Sequence, residues 1–237
     1  MKSKLMTSKV MGCCAAAALS AAPVAAQTVT ASDGTTSHTY GNTSGFAIDF
    51  NSTAESAAVW SPALVAGQQY ALDAIAIELG TSGSVTTPTT PEYLGVYTGF
   101  SSGTLSGFLG ASQNAINFST ATTLTWLDFN FSGIDVTADS GTPLSGGSGE
   151  LYFVYQEGTA AQTGENGADQ VPTIRFGAGA ATDTTDSLSD IIAYGGLAGS
   201  RAPQYEASLT AVPEPSTMAL SVLSGMACLG FFRRLKK

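Results

Sequence analysis

Between Gln27 and Ala211 the chain never sustains an amphipathic helical pattern. Its apolar residues come in short runs, each closed off by Gly, Ser, Thr, Pro or Asn. A strand buries one or both faces over only a few residues. Short runs between turn residues therefore predict an all-β sandwich or barrel. The expected strands are Phe46–Phe50, Ala57–Trp60, Tyr70–Leu79, Tyr93–Tyr97, Leu124–Phe131, Leu151–Tyr155, Thr173–Phe176 and Tyr205–Ala211. In the fifth of these, Leu127, Phe129 and Phe131 share one face, and Asp128 and Asn130 share the other. Leu151–Tyr155 is apolar on both faces, which predicts a central strand. Tyr70–Leu79 changes phase near Asp73, which predicts a bulge there.

The connections are equally legible. Residues 81–91 are rich in Ser, Thr, Pro and Gly, residues 140–149 are Gly-rich, and residues 158–167 are polar. One helix is expected at Ser187–Tyr194, with Asp186 as its N-cap and Gly195-Gly196 as its stop. No repeat and no second domain is evident.

The two ends read differently from the middle. Lys2, Lys4 and Lys9 form a positive leader, Val10 to Ala22 is apolar, and Val24-Ala25-Ala26 supplies small residues for cleavage. This pattern predicts a signal peptide over residues 1–26, cut between Ala26 and Gln27. Cys13 and Cys14 precede most of the apolar stretch, whereas a lipidated cysteine would follow it.

At the other end, Val212-Pro213-Glu214-Pro215-Ser216-Thr217 leads into an apolar run, Met218 to Phe232, and then Arg233, Arg234, Leu235, Lys236 and Lys237. As a helix, the 15 residues 218–232 reach about 22 Å. That is short of a bilayer core of about 30 Å, so snorkelling basic side chains must extend the reach. The basic cluster stays cytoplasmic by the positive-inside rule, which leaves the residues before it outside. A GPI signal would end in apolar residues, and this tail does not. The two prolines fix φ and remove two donors, and Glu214 before Pro215 is biased away from helix. The segment stays extended and open to a processing enzyme.

The order of these three elements resembles the PEP-CTERM sorting signal of Gram-negative bacteria. The resemblance implies export and recognition of Val212, Pro213, Glu214 and Pro215 by an exosortase, a membrane-embedded processing enzyme. Arg233, Arg234, Lys236 and Lys237 would be the membrane stop. The expected organisation is a signal peptide (1–26), one β-sandwich ectodomain (27–211) and a sorting signal (212–237). The last comprises the motif (212–217), a transmembrane helix (218–232) and a basic tail (233–237). The ectodomain itself has a second resemblance. Trp60-Ser61-Pro62, Gln69 to Leu79, Leu94-Gly95-Val96-Tyr97, Gly103-Thr104-Leu105 and Leu151-Tyr152-Phe153-Val154 look like the choice-of-anchor jelly-roll domains of surface proteins. That family brings no catalytic residues with it.

Charge and composition narrow the function. From Gln27 to Thr217 the only basic residues are Arg175 and Arg201, against all 18 acidic residues of the chain, a balance of about −16. Nucleic acid is excluded, since phosphate neutralisation needs a basic patch. Divalent cations, neutral sugars and basic partners stay open. The exported part has no cysteine and hence no disulfide. With a single histidine, His38, no cysteine and no lysine, it cannot build a thiol nucleophile, a Schiff base or a zinc site of several His or Cys ligands. No Gly-x-Ser-x-Gly elbow accompanies His38. A carboxylate-only glycoside hydrolase survives, with Glu92, Asp128, Glu150 and Glu157 as conceivable members.

Oxygen-rich loops suit calcium, and Asp183, Asp186 and Asp190 form the candidate cluster for a structural ion, with Glu165 and Asp169 as another. A solvated acidic loop is the competing reading of both. Trp60, Tyr93, Tyr97 and Trp126 lie in or beside strands, and any that point outward could stack on sugar rings. The expectation is a non-enzymatic envelope or matrix protein with a structural or interaction role linked to extracellular polysaccharide. A carbohydrate-binding module and a glycoside hydrolase are the alternatives.

Overall fold

A computed structural model of the chain describes residues 28–32, 38–52, 59–79, 88, 90–121, 125–141, 149–164, 172–177, 189–193, 196–197 and 203–213. Thr28–Ala211 form one compact unit. Its described elements are strands: β1 (Thr28–Ser32), β2 (His38–Asn42), β3 (Gly45–Asp49), β4 (Trp60–Ser61), β5 (Gln69–Glu78), β6 (Tyr93–Ser101), β7 (Thr104–Ala111), β8 (Trp126–Asn130), β9 (Asp135–Thr137), β10 (Glu150–Gln156), β11 (Thr173–Gly177), β12 (Ser189–Ala193), β13 (Gly196–Leu197) and β14 (Tyr205–Ala211). They form two six-stranded antiparallel sheets and a small two-stranded one. The first sheet runs β4-β1-β14-β5-β8, with β9 also on β5; the second runs β13-β12-β3-β10-β6-β7; β11 pairs β2.

The core lies between the two large sheets. Phe46, Ile48, Leu94, Val96, Leu151, Phe153 and Tyr155 of the second sheet meet Leu72, Ile75, Ile77, Phe129 and Leu209 of the first, and all are buried. Aromatic rings bridge the gap. Phe153 stacks on Phe46 at 5.2 Å within its own sheet and meets Phe131, just past β8, edge-on at 6.3 Å. Tyr155 lies 6.2 Å from Phe129 and 5.6 Å from Phe118. β10 is the central strand its composition predicts: all seven of its residues are buried. Its other face carries Tyr152 and Val154, which join Ala47, Tyr97, Leu105 and Ile192 in a second apolar layer. A side chain at Gly45 would place its Cβ 2.0 Å from the Phe153 carbonyl oxygen, so the approach of β3 to β10 requires glycine there.

Two local features come from backbone chemistry. The β6–β7 hairpin turns on Ser102 and Gly103, both with positive φ, which matches the right-handed twist of the strands it joins. In β5, Leu72 pairs Leu209 and Ala74 pairs Ser208. Asp73 is the extra residue of the predicted bulge, and its Oδ2 accepts from Thr210 Oγ1 at 2.7 Å. The segment after β7 ties the two sheets together. Ser112 N donates to Leu94 O of β6, while Gln113 N donates to Asn130 O of β8. Asn114 completes the suture: its Nδ2 donates to Asp128 O and its Oδ1 accepts from Asn130 N. A side-chain amide here takes the place of a neighbouring strand and blunts the β8 edge.

The helix expected at Ser187–Tyr194 is corrected. Ser189–Ala193 is β12, paired antiparallel with β3 through Ser189–Ile48, Asp190–Ala47, Ile191–Phe46 and Ile192–Gly45. Ile191 and Ile192 are β-branched, and the vacant edge of β3 outweighed the local cap signal at Asp186. Leu127, Phe129 and Phe131 face inward and Asp128 and Asn130 face solvent, as the alternation predicts.

Phe153 touches rings from both sheets, so Phe153→Ala should cost about 3–5 kcal/mol. Urea denaturation of the variant against the parent chain measures this as a lower midpoint at an unchanged slope.

Candidate functional site

The C-terminal motif grows directly out of the first sheet. β14 lies between β1 and β5, and its last residue, Ala211, pairs with Tyr70. Val212 follows half-buried and Pro213 exposed. Proline has no N–H to donate, so pairing cannot continue and the strand ends where the motif begins. Glu214, Pro215, the apolar run and Arg233, Arg234, Lys236 and Lys237 lie outside the described residues, as do Ala26 and Gln27. Among the described residues no helix is long and apolar enough to cross a membrane.

A family model for the PEP-CTERM protein-sorting motif matches residues 211–234. The chain carries a PEP-CTERM sorting motif. Such a motif implies export, membrane anchoring before processing, and exosortase-dependent sorting towards the cell envelope or extracellular space. The PEP-CTERM match covers the tail alone, and no curated protein and no solved structure matches the chain.

Of the conceivable catalytic carboxylates, Glu92 and Glu157 come near each other, while Asp128 and Glu150 stand on different sheets. Glu92 precedes β6 and is buried. Its backbone forms a reciprocal pair with Ile116, N–H to carbonyl at 2.9 and 2.8 Å. Burial, with the nearby charge of Glu157, pushes the Glu92 carboxyl up to about 7. Glu157 is exposed and accepts from Thr90 Oγ1 at 3.3 Å. The Tyr155 hydroxyl is raised well above its ordinary value by burial and then by the charge of Glu92. Glu150 begins β10, and Asp128 lies on the exposed side of β8 in the other sheet.

A carboxylate that composition did not single out joins Glu150. Asp49 of β3 sits directly opposite it in the strand register, and both are buried. Tyr152, two residues along the same face, donates its hydroxyl to Glu150 Oε1. Burial, that bond and the charges of Glu150 and Asp49 all raise the tyrosine's pKa. One hundred residues separate the two acids in sequence, so only pairing β3 with β10 reveals them as neighbours. At the other end of β10, Gln156 Oε1 accepts from the Tyr97 hydroxyl at 2.9 Å, and that hydroxyl accepts from Gln162 N at 2.8 Å. Gln156 Nε2 in turn donates to the carbonyls of Gly158 and Ala160. These bonds fold the chain after β10 back over its own sheet.

Among the described residues no group of three or more His, Cys, Asp or Glu is placed to hold a metal. Asp183 and Asp186 lie outside the described residues, and Asp190 stands in β12 at the register position opposite Ala47. Two of the four aromatics considered for sugar stacking are ruled out. Trp60 packs on Phe50 with centroids 5.2 Å apart, and Tyr97 packs on Phe108; both are buried. Tyr93 is half-buried, and Trp126 is exposed. His38 falls on β2, paired opposite Gly177.

The Glu92 shift makes a pH prediction. The folded chain holds this proton more tightly than the unfolded one, whose carboxyl has the ordinary value of 4.5. Stability is therefore full below that value and falls as pH rises through about 7, by ~3 kcal/mol in all. Glu92→Gln should remove this loss. Denaturation midpoints at pH 5 and pH 8 should differ less in the variant than in the parent chain.

Proposed function

We propose that this protein is an exosortase substrate whose β-sandwich ectodomain serves a structural or interaction role at extracellular polysaccharide. The sorting motif carries the first half of this reading: three elements in order, a Pro-Glu-Pro segment, an apolar run and a basic end. An extracytoplasmic ectodomain with no cysteine, no lysine and one histidine carries the second half, since it favours recognition over chemistry. The role is non-enzymatic. Asp128 and Glu150, two of the carboxylates a glycoside hydrolase could use, lie on different sheets, and of the neighbouring pair Glu92 and Glu157 the first is buried.

A jelly-roll winding of the ectodomain belongs to the same reading. The strand orders β1-β14-β5-β8 and β3-β10-β6-β7 support it, with the first and last strands adjacent and the chain alternating between the sheets.

In a host that possesses an exosortase, Pro213→Ala and Glu214→Ala should each leave the tail unprocessed and the protein held in the membrane fraction. Immunoblots of fractionated cells read this directly. Normal processing of both variants would overturn the sorting assignment.

A further inference from the structure

The outward face of the first sheet carries a row of polar side chains with one tryptophan at its end. β8 contributes Trp126, Asp128 and Asn130, whose side chains alternate with the inward Leu127 and Phe129. The register carries this row across the sheet. Asp128 stands opposite Ala76, which stands opposite Glu206; Asn130 stands opposite Ala74, which stands opposite Ser208. The bulge in β5 adds Asp73, held by Thr210. The middle of the face holds two alanines, Ala74 half-buried and Ala76 buried between the exposed Asp128 and Glu206, and Glu78, opposite Trp126, is buried as well. Trp126 stands at one edge, a large aromatic 37% exposed.

We infer that this face is a docking surface for a neutral polysaccharide strand, with Trp126 stacking on a sugar ring and Asp128, Asn130 and Glu206 taking ring hydroxyls. The inference rests on the extracellular reading above and adds the site and the ligand class. Three properties select the occupant. A flat aromatic face with donors and acceptors beside it suits a ring that is apolar on its faces and hydroxylated at its rim. Exposed carboxylates, in an exported segment with only two arginines, repel uronates, sulfated glycans and anionic lipid. A protein partner would need an apolar patch at the centre of its interface, and alanines with a single tryptophan do not supply one.

The test uses the full chain in a polyoxyethylene detergent, which has no sugar headgroup. Native gels containing hydroxyethylcellulose, galactomannan, alginate or polylysine report retardation. Retardation by a neutral polymer and not by alginate is expected. Trp126→Ala should weaken the affinity about tenfold, and Asp128→Asn should weaken it with Trp126 in place. Thermal melts of each variant confirm the fold, and Val65→Ala, at an exposed residue outside this face, should bind as the parent does. If neutral polymers retard parent and Trp126→Ala alike, the face is wrong and the polysaccharide role stands. If no neutral polymer retards the parent, the polysaccharide role falls with it. Retardation by polylysine alone would assign the face to a basic partner and overturn the proposal.

Discussion

The burial of one strand on both faces organises this molecule. β10 has no solvated side, so two layers must cover it. Phe153 and Tyr155 commit one face to the aromatic core shared with the first sheet. Tyr152 and Val154 commit the other to a second apolar layer. A strand of this kind tolerates polar groups only where each finds a partner. Glu150 and Gln156, at its two ends, are held by the hydroxyls of Tyr152 and Tyr97. The neighbours β3 and β6 are fixed by the same demand, and the glycine at position 45 lets β3 come close enough.

Antiparallel sheets that pack face to face leave edges, and the β8 edge is closed with a side chain. Asn114 reaches β8 with both atoms of its amide, and Gln113 N does so with its own bond, while Ser112 remains bonded to Leu94 of the second sheet. One short segment thereby protects an edge and fixes the spacing of the sheets. The amide engages the main chain of β8 and the side-chain amide of Asn130, and its bonds do not include the side chains of Trp126 and Asp128. The proposed docking face thus depends on a connection that lies in the plane of the sheet.

How much could be read in advance follows from range. Strand content came from local alternation: the inward set of Leu127, Phe129 and Phe131 and the bulge at Asp73 are short-range patterns with a period of two. The double burial of Leu151–Tyr155 was visible because both parities are apolar. β12 was misread because Asp186 and the glycines at 195 and 196 satisfy helix rules locally, while the reward for a strand is an edge on β3, far away in sequence. Trp60 and Tyr97 looked like candidates for an exposed platform for the same reason: strand spacing says that a side chain alternates, and it does not say which side is covered.

The sequence alone determined where the protein is sent and what chemistry it lacks. The sorting motif is a linear signal, and an absence of cysteine and lysine from the exported part needs no fold to be true. It also determined the class of structure, since period-two burial is a property of neighbours along the chain. The tertiary structure decided which residues meet. Asp49 and Glu150 became a buried pair, Glu92 became a carboxyl that holds its proton to about pH 7, and Trp126 rather than Trp60 became the exposed ring. Each of these depends on strand register across a long loop, and register is set by the summed burial of whole sheets, which no local stretch of sequence contains.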